Sequence, residues 1–564
     1  MFTDTAARAP TLPSRPSITT EQLIVVASVF WALALNRPFF SAALRAQAPD
    51  ALSNAAFIGA LGLMLVALQA LLLGLVGTRH TIKPLLVLLT LVGTFAMHYM
   101  QVYGVVIDPS MVRNALHTDI AETRELLSWG LALNLLLYAA VPIALLFFAR
   151  LEVRTWRRRL TARALLLVCA SAVFVLALMW QFQPFASMSR NHKEVRYLVT
   201  PLNTVWSLGN VLAVDARGAA QPRQAIGLDA TPGPSWATRS KPRVVVLLVG
   251  ETARADNWGL SGYARQTTPQ LAQLTQAVPT APPPVINFSD VTACGTSTEV
   301  SLPCMFAPVG RRQYDEARIR GSESLLHVVA RAGVAVQWRD NQSGCKGVCE
   351  GLPQDTVSTA LAPGLCQGDR CFDEGLLRGL DERLRALHNG RGTQLLVLHM
   401  LGNHGPSYYR RYPPAFERFT PVCRNDDLGR CTREEIVNAY DNALLYTDHV
   451  LATLIGTLSA HADQVDTAML FVSDHGESLG EKNLFLHGVP YVIAPREQTQ
   501  VPMVMWWSSG FGRRAGLNAD CMRTRARQPA EHDNLCHTVL ALLDVKTSLY
   551  TPDLDVTHDC RTLP

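Results

Sequence analysis

The sequence predicts two structural classes in one chain: a helical membrane domain of five spans, then an exported α/β domain with a central mixed sheet. Three observations carry this. Four charge-free apolar runs fill most of the first third. Eleven of the twelve cysteines lie after residue 290. Three short aliphatic runs after residue 240 each end in acidic or imidazole residues.

At 564 residues the chain is too long for one ordinary core. Hydrophobic residues make up 48% and charged residues only 17%, which leans toward a membrane protein, and the net charge of +5 is small for this size. The runs Ala51 to Thr78, Pro84 to Ile107, Leu126 to Ala149 and Ala164 to Ser189 are each long enough to cross a bilayer, which takes about 20 helical residues. They are apolar all round, unlike the striped helices of a soluble bundle. A shorter segment, Gln22 to Asn36, ends at Arg37, and "PFFSAAL" can extend it. Arg8 and Arg15 precede it and "AQA" follows at Ala46 to Ala48, a weak fit to a cleaved signal. Arg37 and Pro38 fit that reading less well, so an uncleaved helix is expected.

Orientation follows from the basic residues. "RLEVRTWRRRLTAR" carries Arg150, Arg154, Arg157, Arg158, Arg159 and Arg163, the strongest cytoplasmic signal in the chain. The N-terminus is therefore expected inside and everything after Ser189 outside. Cysteine usage agrees. Cys294 with Cys304, Cys345 with Cys349, Cys366 with Cys371 and Cys423 with Cys431 are close pairs without zinc-finger context. Of Cys521, Cys536 and Cys560, one is expected to be left over. The chain divides into a membrane domain over 1–183 with an external loop at 105–126, a connector over 184–240, and a large soluble domain over 241–564. The connector is expected to begin as an interfacial helix near Ser187 to Leu198 and to end as a Pro/Gly-rich linker.

In the soluble domain, "RVVVLLVGE", "TQLLVLHMLGNHG" and "TAMLFVSDHGES" read as strands buried on both faces. Stretches between them have helical period. In open α/β sheets, sites form at the strand carboxyl ends. There the sequence places Glu251, then His399 and His404, then Asp474, His475 and Glu477, with His487 further on. Each alone reads as a structural histidine or a helix cap. Their convergence from three strands points to a metal site of the kind that suits zinc or manganese. The loop "CGTST" offers Thr296, Ser297 and Thr298, which composition leaves equivalent. In the loop after the third span, Asn114, Thr118 and Glu122 are spaced by four and share a helix face, which by itself reads as a solvated face.

"SDHGESLGE", "MLGNHGP", "CGTST" and "NAYDNALLYTDHVL" closely resemble the phosphoethanolamine transferases of Gram-negative inner membranes. That family includes lipid A modifying enzymes and the mobile colistin-resistance proteins. The resemblance covers nearly the whole chain and implies a periplasmic sulfatase-like domain of the alkaline phosphatase superfamily. It implies zinc at Glu251, Thr298, Asp474 and His475, with Thr298 as nucleophile. It implies donor binding by Ser343, Lys346, His404 and His487, and by Asn114, Thr118 and Glu122 around the ethanolamine phosphate. Catalytic roles fall to Thr298, Lys346, His404 and His487. A second metal at His404 and His487 stays open, and His399 and Glu477 are expected to be supporting residues. The implied reaction moves phosphoethanolamine from phosphatidylethanolamine, through a covalent threonine intermediate, to lipid A phosphate, giving polymyxin and colistin resistance. An acceptor on a core sugar or another periplasmic glycan is the alternative. A lipoteichoic-acid-type glycerol phosphate transferase is a further one, against which the cysteine pairs argue. The expected location is the inner membrane, multi-pass, with the catalytic domain in the periplasm. A monomer is expected, with lipid partners and no nucleic acid.

Overall fold

The computed structural model describes residues 16–46, 51–118, 120–219, 222–275, 285–368, 370–388 and 390–562. They form two compact units. One lies within residues 1–101 and 129–206, the other within 102–128 and 207–564. The loop after the third span therefore belongs to the unit that carries the sheet, not to the helical unit with which the sequence groups it.

In the helical unit, Asn54–Val76, Ile82–Tyr103, Trp129–Phe148 and Trp156–Trp180 are each long and apolar enough to cross a membrane. The first predicted segment is a bent pair, Thr20–Leu35 and Arg37–Arg45, turned by 58°. "PFFSAAL" thus continues the helix around a corner, as Pro38 in the first turn of the second piece requires. With the bent pair as one span, this unit supplies five. Leu33, Leu75, Leu176 and Trp180 are exposed on these helices, which suits a lipid surround. The last span begins at Trp156, inside the arginine-rich stretch expected as a loop. Arginine is a good helix former, so the stretch joins the helix. Arg163 then donates to the carbonyls of Gly74 (2.5 Å) and Gly77 (2.6 Å), orphan acceptors near the end of the neighbouring helix, and pairs with Glu21 at 3.1 Å. At the bend, buried Asn36 donates to the carbonyls of Trp31 (2.8 Å) and Thr200 (2.7 Å) and accepts from the Thr200 N–H (2.9 Å).

The expected interfacial helix is broken at His192: a helix runs Phe182–Asn191, and a tighter turn follows over Lys193–Leu198. Leu202–Ala219 then forms an 18-residue helix that the sequence reading passed over, its apolar period interrupted by Gly209. The Pro/Gly-rich stretch is not a free linker. Thr231–Pro232 pairs with Val545–Lys546, and the Trp236 indole donates to the Leu543 carbonyl at 2.9 Å.

The second unit is built on seven strands: β1 (Arg243–Gly250), β2 (Ile286–Phe288), β3 (Ala335–Asp340), β4 (Gln354–Thr356), β5 (Thr393–His399), β6 (Asp466–Ser473) and β7 (Met503–Trp507). Their order is β2-β7-β6-β1-β5-β3-β4. From β6 to β4 neighbours run parallel, while β7 is antiparallel to β6 and to β2, so the sheet is mixed. β1 and β6 are buried at every position, as expected of central strands covered on both faces. Three helices recur below: the short α1 (Pro109–Leu116) and α2 (Thr298–Met305) and the long α3 (Arg433–Ala460). α3 has the length and hydropathy of a span but belongs to this unit, largely buried in it. All four predicted cysteine pairs are bonded. Cys521 bonds Cys560, leaving Cys536 buried and free.

Asn36→Ala strips partners from backbone groups in an apolar setting, a loss of about 2 kcal/mol. Thermal unfolding in detergent should show a clear fall in Tm, with none for the exposed Leu33→Ala.

Candidate active site and metal centre

Strand register assembles the site. β1 and β6 pair in parallel with Gly250 opposite Ser473, so the next residues, Glu251 and Asp474, emerge side by side. β5 ends at His399 and β3 at Asp340, paired with each other. Acids and imidazoles therefore line the carboxyl ends of four adjacent strands. Tight backbone approaches fix the loops that follow. A Cβ on Gly402 would lie 2.5 Å from the Glu251 carbonyl, and one on Gly476 would lie 2.1 Å from that of Glu497.

Glu251, Asp474 and His475 are all fully buried, with one ligand atom of each within 4.8 Å of the others. His475 Nε2 lies 3.4 Å from both Glu251 Oε1 and Asp474 Oδ2. Its Nδ1 meets the Gly476 carbonyl at 2.9 Å, which assigns the proton there and leaves Nε2 as a ligand atom. Asp474 Oδ2 has no hydrogen-bond partner. Burial, then the Glu251 charge, raises the Asp474 carboxyl to about 7. Burial opposes charge on His475, yet Asp474 and Glu251 outweigh it and raise the imidazole to about 10. Two buried carboxylates converge on one ring nitrogen, and one of their oxygens has no partner within the protein. A divalent cation fits that donor set.

Thr298 opens α2, and its hydroxyl donates to Glu251 Oε2 at 3.0 Å, 3.4 Å from His475 Nε2. Thr296 is turned away, donating to the Val489 carbonyl at 2.7 Å, and Ser297 is the residue before the first turn. Of the three hydroxyls, the fold brings Thr298 to the acidic cluster.

The expected donor-side residues gather next to it. Lys346 Nζ lies 2.8 Å from Ser343 Oγ and 4.0 Å from Glu299 Oε2. Glu299 follows Thr298 directly and is buried; its Oε1 lies 3.1 Å from His117 Nδ1 and 2.8 Å from Arg320. α1 packs against α2, which brings half-buried Asn114 and Thr118 to this side; Thr118 donates to the Asn114 carbonyl at 2.7 Å. The Glu122 side chain lies outside the described residues. His404 and His487 face each other at 5.5 Å between ring centres, and His487 lies 4.4 Å from His475. Burial pushes both imidazoles down to about 3, so both are neutral. Glu477 stands behind His487 at 3.4 Å. Among the described residues, only Glu251, Asp474 and His475 bring three metal-ligating groups together.

His399 sits behind the cluster, its Nδ1 3.0 Å from Asp340 Oδ2 and its Nε2 4.0 Å from Glu251 Oε2. Sequence reasoning missed Asp340, Glu299 and the pair Glu125–Arg411. Arg411 is buried, donates to the His404 carbonyl at 2.6 Å and meets Glu125 Oε1 at 3.3 Å. Only adjacency hinted at these: Glu299 follows the hydroxyl loop, and Asp340 precedes "NQSG".

Residues 65–216 match the family described as phosphoethanolamine transferase EptA/EptB, and residues 243–545 match the sulfatase family. The chain is 35% identical to phosphoethanolamine transferase EptA of Escherichia coli strain K12, over 98% of each protein. It is 36% identical to the phosphatidylethanolamine transferase Mcr-1 of Escherichia coli, over 94% of this chain and 96% of that protein. The solved structure of the integral membrane protein lipooligosaccharide phosphoethanolamine transferase A of Neisseria meningitidis superposes with a TM-score of 0.89 at 34% identity, covering 97% of this chain and 100% of that one.

Elemental analysis of the purified chain should find about one equivalent of divalent metal. Asp474→Ala should lose it, and His399→Ala should weaken retention by roughly tenfold, as expected for a group that supports a ligand.

Proposed function

The chain belongs to the EptA/EptB phosphoethanolamine transferase family, and from that premise we propose that it moves phosphoethanolamine from phosphatidylethanolamine, through a covalent bond to Thr298, to the phosphate of lipid A. The carrying observation is the Thr298 hydroxyl, 3.0 Å from a buried carboxylate at the first turn of a helix and beside a cation-binding donor set. Zinc is the ion we assign to Glu251, Asp474 and His475, with Thr298 as the fourth donor. Bound there, zinc lowers the pKa of the hydroxyl and offsets charge on the phosphoryl oxygens.

In the first half-reaction, Thr298 Oγ attacks phosphorus and the bond to the diacylglycerol oxygen breaks. The proton lost by threonine balances the one gained by diacylglycerol, and Glu251 Oε2 is the acceptor nearest the hydroxyl. The amides of the first turn of α2 and Lys346 meet the phosphoryl charge. In the second half, an oxygen of the acceptor phosphate attacks the same phosphorus and Thr298 regains its proton. The proton that Thr298 regains is the one the acceptor phosphate loses, and His404 and His487, kept neutral by burial, are assigned to hydrogen-bond the phosphoryl and entering oxygens. Asn114 and Thr118 are assigned the ethanolamine end, and the acid that the resemblance implies for its ammonium, Glu122, has its side chain outside the described residues. This is ping-pong catalysis.

Lipid A as acceptor is supported by the lipooligosaccharide substrate class named for the Neisseria relative. Placing ammonium groups on lipid A lowers its negative charge, which accounts for polymyxin and colistin resistance. The disulfide-bonded soluble unit supports a periplasmic location, with the helical unit in the inner membrane.

Mass spectrometry of lipid A from cells expressing the wild type should show a phosphoethanolamine increment, absent with Thr298→Ala. Unmodified lipid A while phosphatidylethanolamine is still consumed would assign the acceptor to a core sugar or another glycan. Full transfer by Thr298→Ala would contradict the mechanism.

A further inference from the structure

The arginine-rich start of the last span does more than mark orientation. Within the helical unit it borders a cavity of about 280 Å³ lined by Thr20, Glu21, Arg79, Trp156, Arg159 and Arg163, among others. The only carboxylate in that lining, Glu21, is already occupied by Arg163 at 3.1 Å. Arg163 spends its remaining donors on the Gly74 and Gly77 carbonyls. Arg79 and Arg159 differ: both are exposed, and among the described residues neither side chain makes an ion pair or a hydrogen bond. Two uncompensated guanidinium groups thus face one cavity that has no acid left to offer them.

The surroundings say what kind of anion fits. Leu75, Val76 and Leu160 are exposed beside the cavity, on helices that cross a membrane, so its rim is greasy. Trp156 is 65% exposed at the same level. Indole rings favour the headgroup layer, where the ring meets apolar chains and the N–H meets polar groups. Guanidinium pairs match phosphate oxygens in geometry and charge, and basic pockets between membrane helices suit anionic headgroups.

We propose that this cavity binds the phosphate of an anionic phospholipid, with Arg79 and Arg159 as the phosphate contacts and Trp156 against the headgroup. Its acyl chains lie along the exposed leucines of the two helices. The site lies in the helical unit and uses none of the residues assigned to transfer.

The test is native mass spectrometry of the full chain in detergent, titrated with phosphatidylglycerol or with phosphatidylethanolamine. Wild type should retain one phosphatidylglycerol in preference to phosphatidylethanolamine, and excess inorganic phosphate should not displace it. Arg79→Ala combined with Arg159→Ala should lower that retention at least about tenfold. Arg157→Ala combined with Arg158→Ala removes the same charge from the helical turn that carries Arg159 but outside the cavity lining, and should retain the lipid. Melting temperature and transfer activity measured on both double variants verify that they are folded. Equal retention by wild type and the Arg79/Arg159 variant, equal loss in both double variants, or no preference over phosphatidylethanolamine would each overturn the proposal.

Discussion

Two carboxylates and an imidazole, fully buried at the ends of adjacent parallel strands, set the terms for everything around them. Parallel register makes Glu251 and Asp474 neighbours, and low dielectric makes their mutual repulsion costly. The surrounding chain bends to accommodate them. Thr252 takes a left-handed backbone at φ 60°, donating its hydroxyl to Glu251 at 2.5 Å and its N–H to Asp474 at 3.1 Å. Asp340 steadies His399 behind the cluster. Thr298, which presents its hydroxyl to the cluster, is held by a helix start and a flanking disulfide. A site that gathers two buried carboxylates, an imidazole and an unpartnered carboxylate oxygen beside one hydroxyl has the donor set for a cation.

The helical unit solves a different problem. Apolar surroundings leave no water to complete a backbone hydrogen bond. Where its helices bend or end, polar side chains take that place: Asn36 at the corner with Thr200, and Arg163 at the carbonyls of Gly74 and Gly77. With donor and acceptor both proposed to be lipids, five spans in the same chain keep the enzyme in the membrane that holds its substrates.

Much of this was legible in the sequence because the strongest signals are local. Charge-free runs of helical length gave the spans, and close cysteine pairs gave four disulfides. Runs such as "RVVVLLVGE" gave strands whose last residues reach the site. What the sequence left hidden depends on tertiary placement. Thr296, Ser297 and Thr298 differ only in which way the loop turns them. Glu299, Asp340 and Glu125 act through partners far along the chain: Lys346, His399 and Arg411. The loop at 102–128 joins the sheet-bearing unit through contacts that no local pattern announces. The arginine-rich stretch looked like a loop because charge is read as solvent exposure, whereas arginine propensity and the Gly74 and Gly77 carbonyls favour helix there.

The central claim is that Thr298 carries the phosphoethanolamine between donor and acceptor. Peptide-level mass spectrometry of the full-length chain, incubated with phosphatidylethanolamine and no acceptor, tests it most directly. The account predicts a phosphoethanolamine adduct confined to Thr298 that disappears when acceptor lipid is added. Diacylglycerol release with no adduct, or an adduct on Thr296 or Ser297, would contradict it.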